Sequence, residues 1–221
     1  MKNKWIITAI ALPTIPLTLY FLIRRSGYFI PLEYVPYIFR ENKYIPQDSH
    51  HESLTKAELF NYNKKVSDII PQLDKTKTSI LIEKSKYRLT LYHEGEPLKS
   101  YPVVFGSNPK GDKLREGDSR TPEGIFKIRD LYPHPSWSKF IWLDYPNQNS
   151  WQKHLEAKRQ GKISSLDSIG GEIGIHGVPN NSDSLIDNQT NWTLGCISLK
   201  NRDVDEIYQA VSTGTIVEII P

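Results

Sequence analysis

The sequence predicts a β-rich domain, mainly antiparallel and sandwich- or barrel-like with short helices, preceded by an N-terminal transmembrane helix and one amphipathic helix. Three observations carry this reading. From Thr78 onward, short runs of alternating apolar and polar residues recur, separated by Gly- and Pro-bearing polar stretches. Helical spacing is confined to a few short segments. And Trp5 to Ile23, "WIITAIALPTIPLTLYFLI", carries no charge, which is long enough to cross a bilayer.

In chain order, residues 1–25 read as a signal-anchor. Lys2, Lys4, Arg24 and Arg25 flank the apolar run, and no small-residue cleavage site closes it, so a cleaved signal with secretion is the runner-up. Residues 26–77 form a stalk or clamp and a helical extension. "SGYFIPLEYVPYIFRENKYIPQDSH" is rich in Tyr and Pro, and a helix is predicted from Leu54 to Ile69, ended by Pro71. Residues 78–221 form the main domain. "SILIEKSKYRLTLYHEGEPLKSYPVVFG" reads as a hairpin broken at Glu94-Gly95, with a third strand ending at Gly106. A polar loop leads to "IFKIRDLY" and "PSWSKFIWLDYPN", both strands. "NSWQKHLEAKRQG" is a short helix capped by Asn149 or Ser150, with His154 on an exposed face. "GEIGIHG" is a short strand, "NNSDSLIDNQTNW" a polar loop, and "CISLKN" a strand. "NRDVDEIYQAVSTG" is an amphipathic helix capped by Asn201 with Val204, Ile207, Tyr208 and Val211 on one stripe, and "TIVEII" closes the domain.

The formal charge is +3. Removing the four N-terminal bases from the 28 Lys and Arg leaves 24 against 25 acidic residues, a net of −1. A near-neutral domain lacks the clustered basic footprint of a nucleic-acid binder. One cysteine excludes an internal disulfide, and one Cys with scattered His offers no metal set at zinc spacing, so neither metal nor cofactor is expected.

That cysteine, Cys196 in "NWTLGCISLKN", has two readings. Free Cys often packs as a small hydrophobe. Against this, Cys196 follows Gly195, whose freedom suits a close-approach oxyanion loop, and it sits where a polar loop meets a strand. His176, twenty positions upstream in "GIHGVP", is a candidate base for a thiol nucleophile, though a lone strand-end His is commonly structural. The residues alone leave both questions open.

"IHG" at 175–177 followed by "TLGCISL" at 193–199 resembles the signature of the L,D-transpeptidases with a YkuD-type catalytic domain, whose pattern is His-Gly, a loop, then Ser/Thr-x-Gly-Cys-aliphatic. "GDSRTPEGIFKI" at 117–128 is similar to the family's Gly-Asp-x-x-Thr-Pro-x-Gly segment, and the terminal helix and strand match too, so the resemblance covers roughly Ser79 to Pro221. It implies the L,D-transpeptidase catalytic fold and the following roles. Cys196 is the nucleophile and His176 its base. The Gly177 carbonyl orients the imidazole, and backbone N–H groups at Gly195 and Cys196 form the oxyanion site. Thr193 braces the loop or meets substrate, Trp192 stacks on substrate or packs, and Arg120 and Thr121 border the cleft.

The resemblance also implies peptidoglycan stem peptides as substrate and a membrane-anchored enzyme with its catalytic domain outside the cytoplasm, in the periplasm. The acceptor can be an amine (cross-linking), water (an L,D-carboxypeptidase or amidase) or a wall-linked protein's lysine. A non-catalytic wall-binding module is the other class. Two positions depart from the family: Leu194 stands where many members have His, and Ser198 where they have Arg or Asn. Lys200 or Arg202 is the candidate replacement charge.

Overall fold

The computed structural model describes residues 50–52 and 59–221, together with Leu32. The expected transmembrane segment, most of the stalk, and the first part of the expected 54–69 helix lie outside the described residues. Among the described residues no helix is long and apolar enough to cross a membrane.

Strands β1 (Thr78–Glu83) and β2 (Arg88–His93) pair antiparallel, as their alternation predicts. Glu94 and Gly95 both take positive φ between β2 and β3 (Glu96–Pro102), the backbone that a tight hairpin turn demands. β1 then pairs parallel with the C-terminal strand β8 (Ile216–Ile220). β4 (Gly124–His134) pairs antiparallel with β8 through its first residues and with β5 (Ser138–Leu143) through its last, with a register shift at Ile128–Asp130. A bulge of that kind bends a strand and lets one sheet curl. β6 (Gly174–Gly177) and the parallel β7 (Ile197–Leu199) complete the order β3-β2-β1-β8-β4-β5-β6-β7.

The expected third strand ends at Pro102, not Gly106. The chain there leaves β2 and crosses to β7, where Val104 exchanges both backbone bonds with Ser198 (2.9 and 3.0 Å) and Gly106 bridges Thr193. The two edges of the sheet are thereby stitched together, which accounts for the barrel-like character.

Among the described residues, four short α-helices accompany the sheet: α1 (Val66–Ile69), α2 (Gln148–Arg159), α3 (Ser184–Asp187) and α4 (Asn201–Ala210). Among the described residues of the expected 54–69 helix, α1 is the helical part; residues 60–63 are turns, with Asn61 at φ 53. The Phe60 carbonyl accepts the Ser100 N–H of β3 instead of a helical bond. The cap of α2 is Asn147, whose Oδ1 accepts the Ser150 N–H at 3.1 Å, rather than Asn149 or Ser150. Lys200 precedes α4, so Asn201 is its first residue and not its cap. α3 interrupts the segment read as a polar loop.

Ile80, Ile82, Leu89 and Leu91 of the first hairpin share one core with Ile141, Ile175, and Val204 and Ile207 of α4. All are essentially inaccessible to solvent, and full burial of such a side chain contributes about 1.5–3 kcal/mol. The stripe expected on α4 is thus the face that covers β5 and β6, and it fixes the strand that carries His176.

The 50–52 segment lies against the sheet as a clamp. Glu218 Oε2 accepts the N–H groups of His50 and His51, 2.9 Å each, and the His51 ring bridges Glu218 and Ser79 at 2.8 Å.

Candidate active site

Cys196 and His176 come together at the ends of neighbouring parallel strands, β7 and β6, and both line one cleft of about 880 Å³. Cys196 stands one residue before β7 and is partly exposed. Its thiol donates to the Glu172 carbonyl at 3.6 Å, and the Gly174 N–H points at the sulfur. His176 is buried, its Nδ1 2.7 Å from the Gly177 carbonyl. A carbonyl only accepts, so Nδ1 carries the hydrogen and Nε2 is the basic lone pair.

Burial pushes the Cys196 thiol up to about 11, against the opposing Gly174 N–H and Lys113 charge. Burial also lowers His176 to about 4, with the Gly177 bond opposing and His134 adding to the fall. At neutral pH the resting pair is therefore neutral thiol and neutral imidazole, not a preformed thiolate and imidazolium.

Two glycines make the geometry possible. A Cβ on Gly177 would lie 2.0 Å from Asn201 Oδ1 and 2.6 Å from the Trp137 carbonyl. Gly195 holds φ +142 with its backbone against the Arg120 carbonyl, which a Cβ would meet at 2.7 Å. Such approaches exclude any side chain.

Thr193 is buried and braces the loop: its Oγ1 donates to the Cys196 carbonyl at 2.7 Å and accepts the Gly195 N–H at 3.2 Å. The Gly195 N–H expected to serve an oxyanion is thus held within the loop in this resting geometry. Trp192 lines the cleft, its ring edge-on to His176 at 5.6 Å between centroids. Thr121 does not reach the cleft. It is fully buried, with its Oγ1 accepting the Gly106 N–H at 3.1 Å. Arg120 is also turned away; its Nη1 faces the Asp112 carbonyl at 3.4 Å, and only its backbone touches the site through Gly195.

The departures separate cleanly. Leu194 is 80% exposed at the cleft rim. Ser198 is fully buried, and its Oγ donates to the Gly177 carbonyl at 3.3 Å, the same oxygen that fixes His176. Neither Lys200 nor Arg202 brings charge to the cleft: Lys200 pairs with Asp187, and Arg202 bonds the Tyr62 hydroxyl at 2.9 Å. The cation beside the nucleophile is Lys113, buried and paired with Asp118 at 2.9 Å. Asp118 also accepts the N–H groups of Leu114, Arg115 and Arg120, which is the work of the Asp in the "GDSRTPEG" segment.

Sequence reasoning missed the aromatic walls. Tyr132, Trp137, Phe140 and Trp142 line the cleft beside Trp192. Trp137 stacks on His176 at 4.4 Å and on His134 at 4.3 Å. The β4–β5 hairpin that carries them ends on "PHPSW", and its crowding of Trp and His beside prolines was the available signal. Among the described residues no group of three or more His, Cys, Asp or Glu is placed to hold a metal ion.

The family model for the L,D-transpeptidase catalytic domain, YkuD, matches residues 77–219. The chain is 28% identical over 144 residues to the protein named "Putative L,D-transpeptidase YafK" of Escherichia coli (strain K12), a match covering 62% of this chain and 48% of that protein. It therefore spans about half the length of the curated relatives it matches. Among solved structures it is similar to the helical cell shape determining protein Pgp2 of Campylobacter jejuni, with 26% identity over 64% of this chain and 46% of that chain and a TM-score of 0.48. It is also similar to an L,D-transpeptidase from Mycobacterium smegmatis, with 16% identity, 66% and 59% coverage and a TM-score of 0.44.

Proposed function

The chain belongs to the YkuD-type L,D-transpeptidase catalytic-domain family, and from that premise we propose that it is a cell-wall enzyme that forms a cysteine acyl-enzyme with peptidoglycan stem peptides. The observation that supports the reading is that a partly exposed Cys196 and a buried His176, its Nδ1 on the Gly177 carbonyl, line one cleft.

The chemistry follows from the two neutral groups. Cys196 Sγ attacks the carbonyl carbon of the stem's third residue, while its proton passes to the Nε2 lone pair of His176. The resulting imidazolium is stabilised by the Gly177 carbonyl on its far side. Negative charge on the tetrahedral oxygen falls to the Cys196 N–H, and the Gly195 N–H joins it by exchanging Thr193 for the oxyanion. His176 then gives the proton to the departing amine nitrogen, the C–N bond to D-alanine breaks, and a thioester remains. An acceptor amine attacks that thioester, loses its proton through His176, and releases the thiol with a new amide bond, a 3→3 cross-link. Because the thiol is not ionised beforehand, proton transfer and attack are coupled, and the dry aromatic wall makes the cleft poor at holding a free thiolate.

We further assign residues 1–25 to a membrane anchor, 26–77 to a connecting extension and 78–221 to the catalytic domain, which would stand in the periplasm. The shared thioester admits water or a protein lysine as acceptor. Mass spectrometry of products from a tetrapeptide muropeptide, with and without an added amine acceptor, separates these. A cross-linked dimer supports transfer. A tripeptide with no dimer moves the assignment to hydrolysis, and no product at all contradicts the enzyme reading.

A further inference from the structure

We propose that Trp137 is a positioning residue: stacked between His134 and His176 and bonded through its carbonyl to Gly177, it holds the catalytic imidazole neutral and in one tautomer. The inference rests on the reading of His176 as the base and adds a residue that no motif in the sequence marks.

Its ring and its backbone act on the same dipeptide. The indole lies 4.4 Å from the His176 ring at an interplanar angle of 26°, and 4.3 Å from His134 at 9°. Its carbonyl accepts the Gly177 N–H at 3.0 Å. Rotation of the imidazole off the Gly177 carbonyl would need either the indole or the β6 backbone to move. Phe140, nearly parallel to the imidazole at 5.9 Å, and Trp192, edge-on at 5.6 Å, limit the remaining directions. An apolar stack of this kind also withholds water from the ring, which disfavours its charged form.

The outer imidazole is held too. His134 Nδ1 accepts the Ser136 N–H at 3.2 Å, which requires the neutral form at that nitrogen. A proton gained by His134 would place a positive charge one indole away from His176 and oppose its protonation further. The other charged or titratable groups near the pair are Lys113 with its partner Asp118, Glu116, Tyr132, Glu172 and Cys196 around the cleft, and Asp205 of α4, which accepts from Ser138 and pairs with Lys139 at 3.2 Å. Lys113 and Lys139 each face a carboxylate.

The test is a histidine-labelled NMR titration of the full chain, read beside the acid limb of kcat/KM on a tetrapeptide muropeptide. In wild type, His176 is expected to titrate near 4 with its hydrogen on Nδ1 throughout. Trp137→Ala is expected to raise that titration by about one pH unit or more, mix the two tautomers, and move the acid limb with it. Trp137→Phe, which keeps a stacking ring, restores the wild-type titration and tautomer. Trp137→Leu keeps apolar bulk without a ring and serves if the alanine variant does not fold; a smaller rise with mixed tautomers is expected.

His176 titrating as in wild type, with one tautomer, in either ring-less variant overturns the proposal. So does a phenylalanine variant no better than alanine. If wild type shows no muropeptide turnover but the imidazole still responds to Trp137, the functional reading falls and the positioning role stands.

Discussion

The two halves of the sheet treat buried polar groups in opposite ways. Around β1, β2 and β8 they are saturated. Arg88 and Glu83, each 1% exposed, pair at 2.7 Å, Glu218 collects three bonds from the 50–52 clamp, and Glu206 takes both Lys99 and the Tyr101 hydroxyl. Around β5, β6 and β7 several are left open. Five buried side-chain polar atoms among the described residues lack a partner. His93 Nε2 is in the first half, while Trp142 Nε1, Trp192 Nε1, Arg120 Nε and Asn201 Oδ1 all belong to segments around the cleft. A buried unpaired group costs about 1–3 kcal/mol, and of these four the Trp142 and Trp192 indole nitrogens belong to side chains that line the cleft, where a substrate can complete the bond. The lesson is that charge in this molecule marks structure, and incomplete bonding beside aromatic rings marks the site.

The comparison breaks if mutations in the two halves have the same signature. The largest effect is expected from Cys196→Ala. Turnover should fall by about three orders of magnitude or more, while the melting temperature stays close to wild type, as read by muropeptide assay beside thermal unfolding. Arg88→Ala should show the reverse. Removing one partner of a buried pair costs about 3–5 kcal/mol, so denaturant melts should shift strongly while cleft chemistry persists wherever the protein is still folded. A large loss of kcat at Arg88 in folded protein would erase the distinction.

How much of this was legible in the sequence depended on how local each signal was. The hairpin at Glu94-Gly95 and the α4 stripe are legible because they rest on short-range patterns, whereas the residues alone leave Cys196 and His176 open and only the spaced motifs of the resemblance single them out. Over the described residues of the expected 54–69 helix, the chain before Val66 is turns instead, with the Phe60 carbonyl taken by Ser100 of β3 and the Lys64 carbonyl by Lys99. His154 was placed on an exposed face, yet it is buried with its Nδ1 2.6 Å from the Leu114 carbonyl; a helix's period does not say what a loop folds over it. The substrate roles expected of Arg120 and Thr121 failed for a similar reason. A turn sequence fixes the backbone, and here the side chains go to Gly106 and Asp112 instead of the cleft. The aromatic wall could not be read because it joins residues from β4, β5 and the 190–195 loop that only the sheet order brings together.

Smaller effects sharpen the comparison by pH. His176, His154 and His51 are all held below the ordinary histidine value by burial. The unfolded chain therefore binds more protons below about 6.5, and their contribution, fully present above that pH, is lost as pH falls through the folded values. Cys196 has the opposite sign: its contribution is present below the ordinary thiol value and lost as pH rises towards 11. Urea melts between pH 4 and 11 should fall off on both sides, and Cys196→Ala should lessen the alkaline fall alone, the remainder coming from tyrosines such as Tyr101 and Tyr145 that burial also raises. An unchanged alkaline limb in that variant would assign the fall to other groups.

Thr193→Val should lower kcat/KM by about tenfold, since a net bond of about 0.5–1.5 kcal/mol positions the oxyanion loop. The smallest effect is expected of Ser198→Ala, which removes one long bond to the Gly177 carbonyl and should change stability by about 1 kcal/mol or less. A tenfold or greater change in acceptor preference there would restore a substrate role to a residue that the fold has buried.

The central claim is that Cys196 carries the acyl group and that His176 is the base it needs. Intact-protein mass spectrometry of the chain quenched with acid during turnover of a tetrapeptide muropeptide tests it directly. The expected result is an adduct of the substrate less D-alanine on Cys196, formed in wild type and absent from His176→Asn and Cys196→Ala. An adduct that persists in either variant, or a wild-type protein that makes product with no adduct on Cys196, would contradict it.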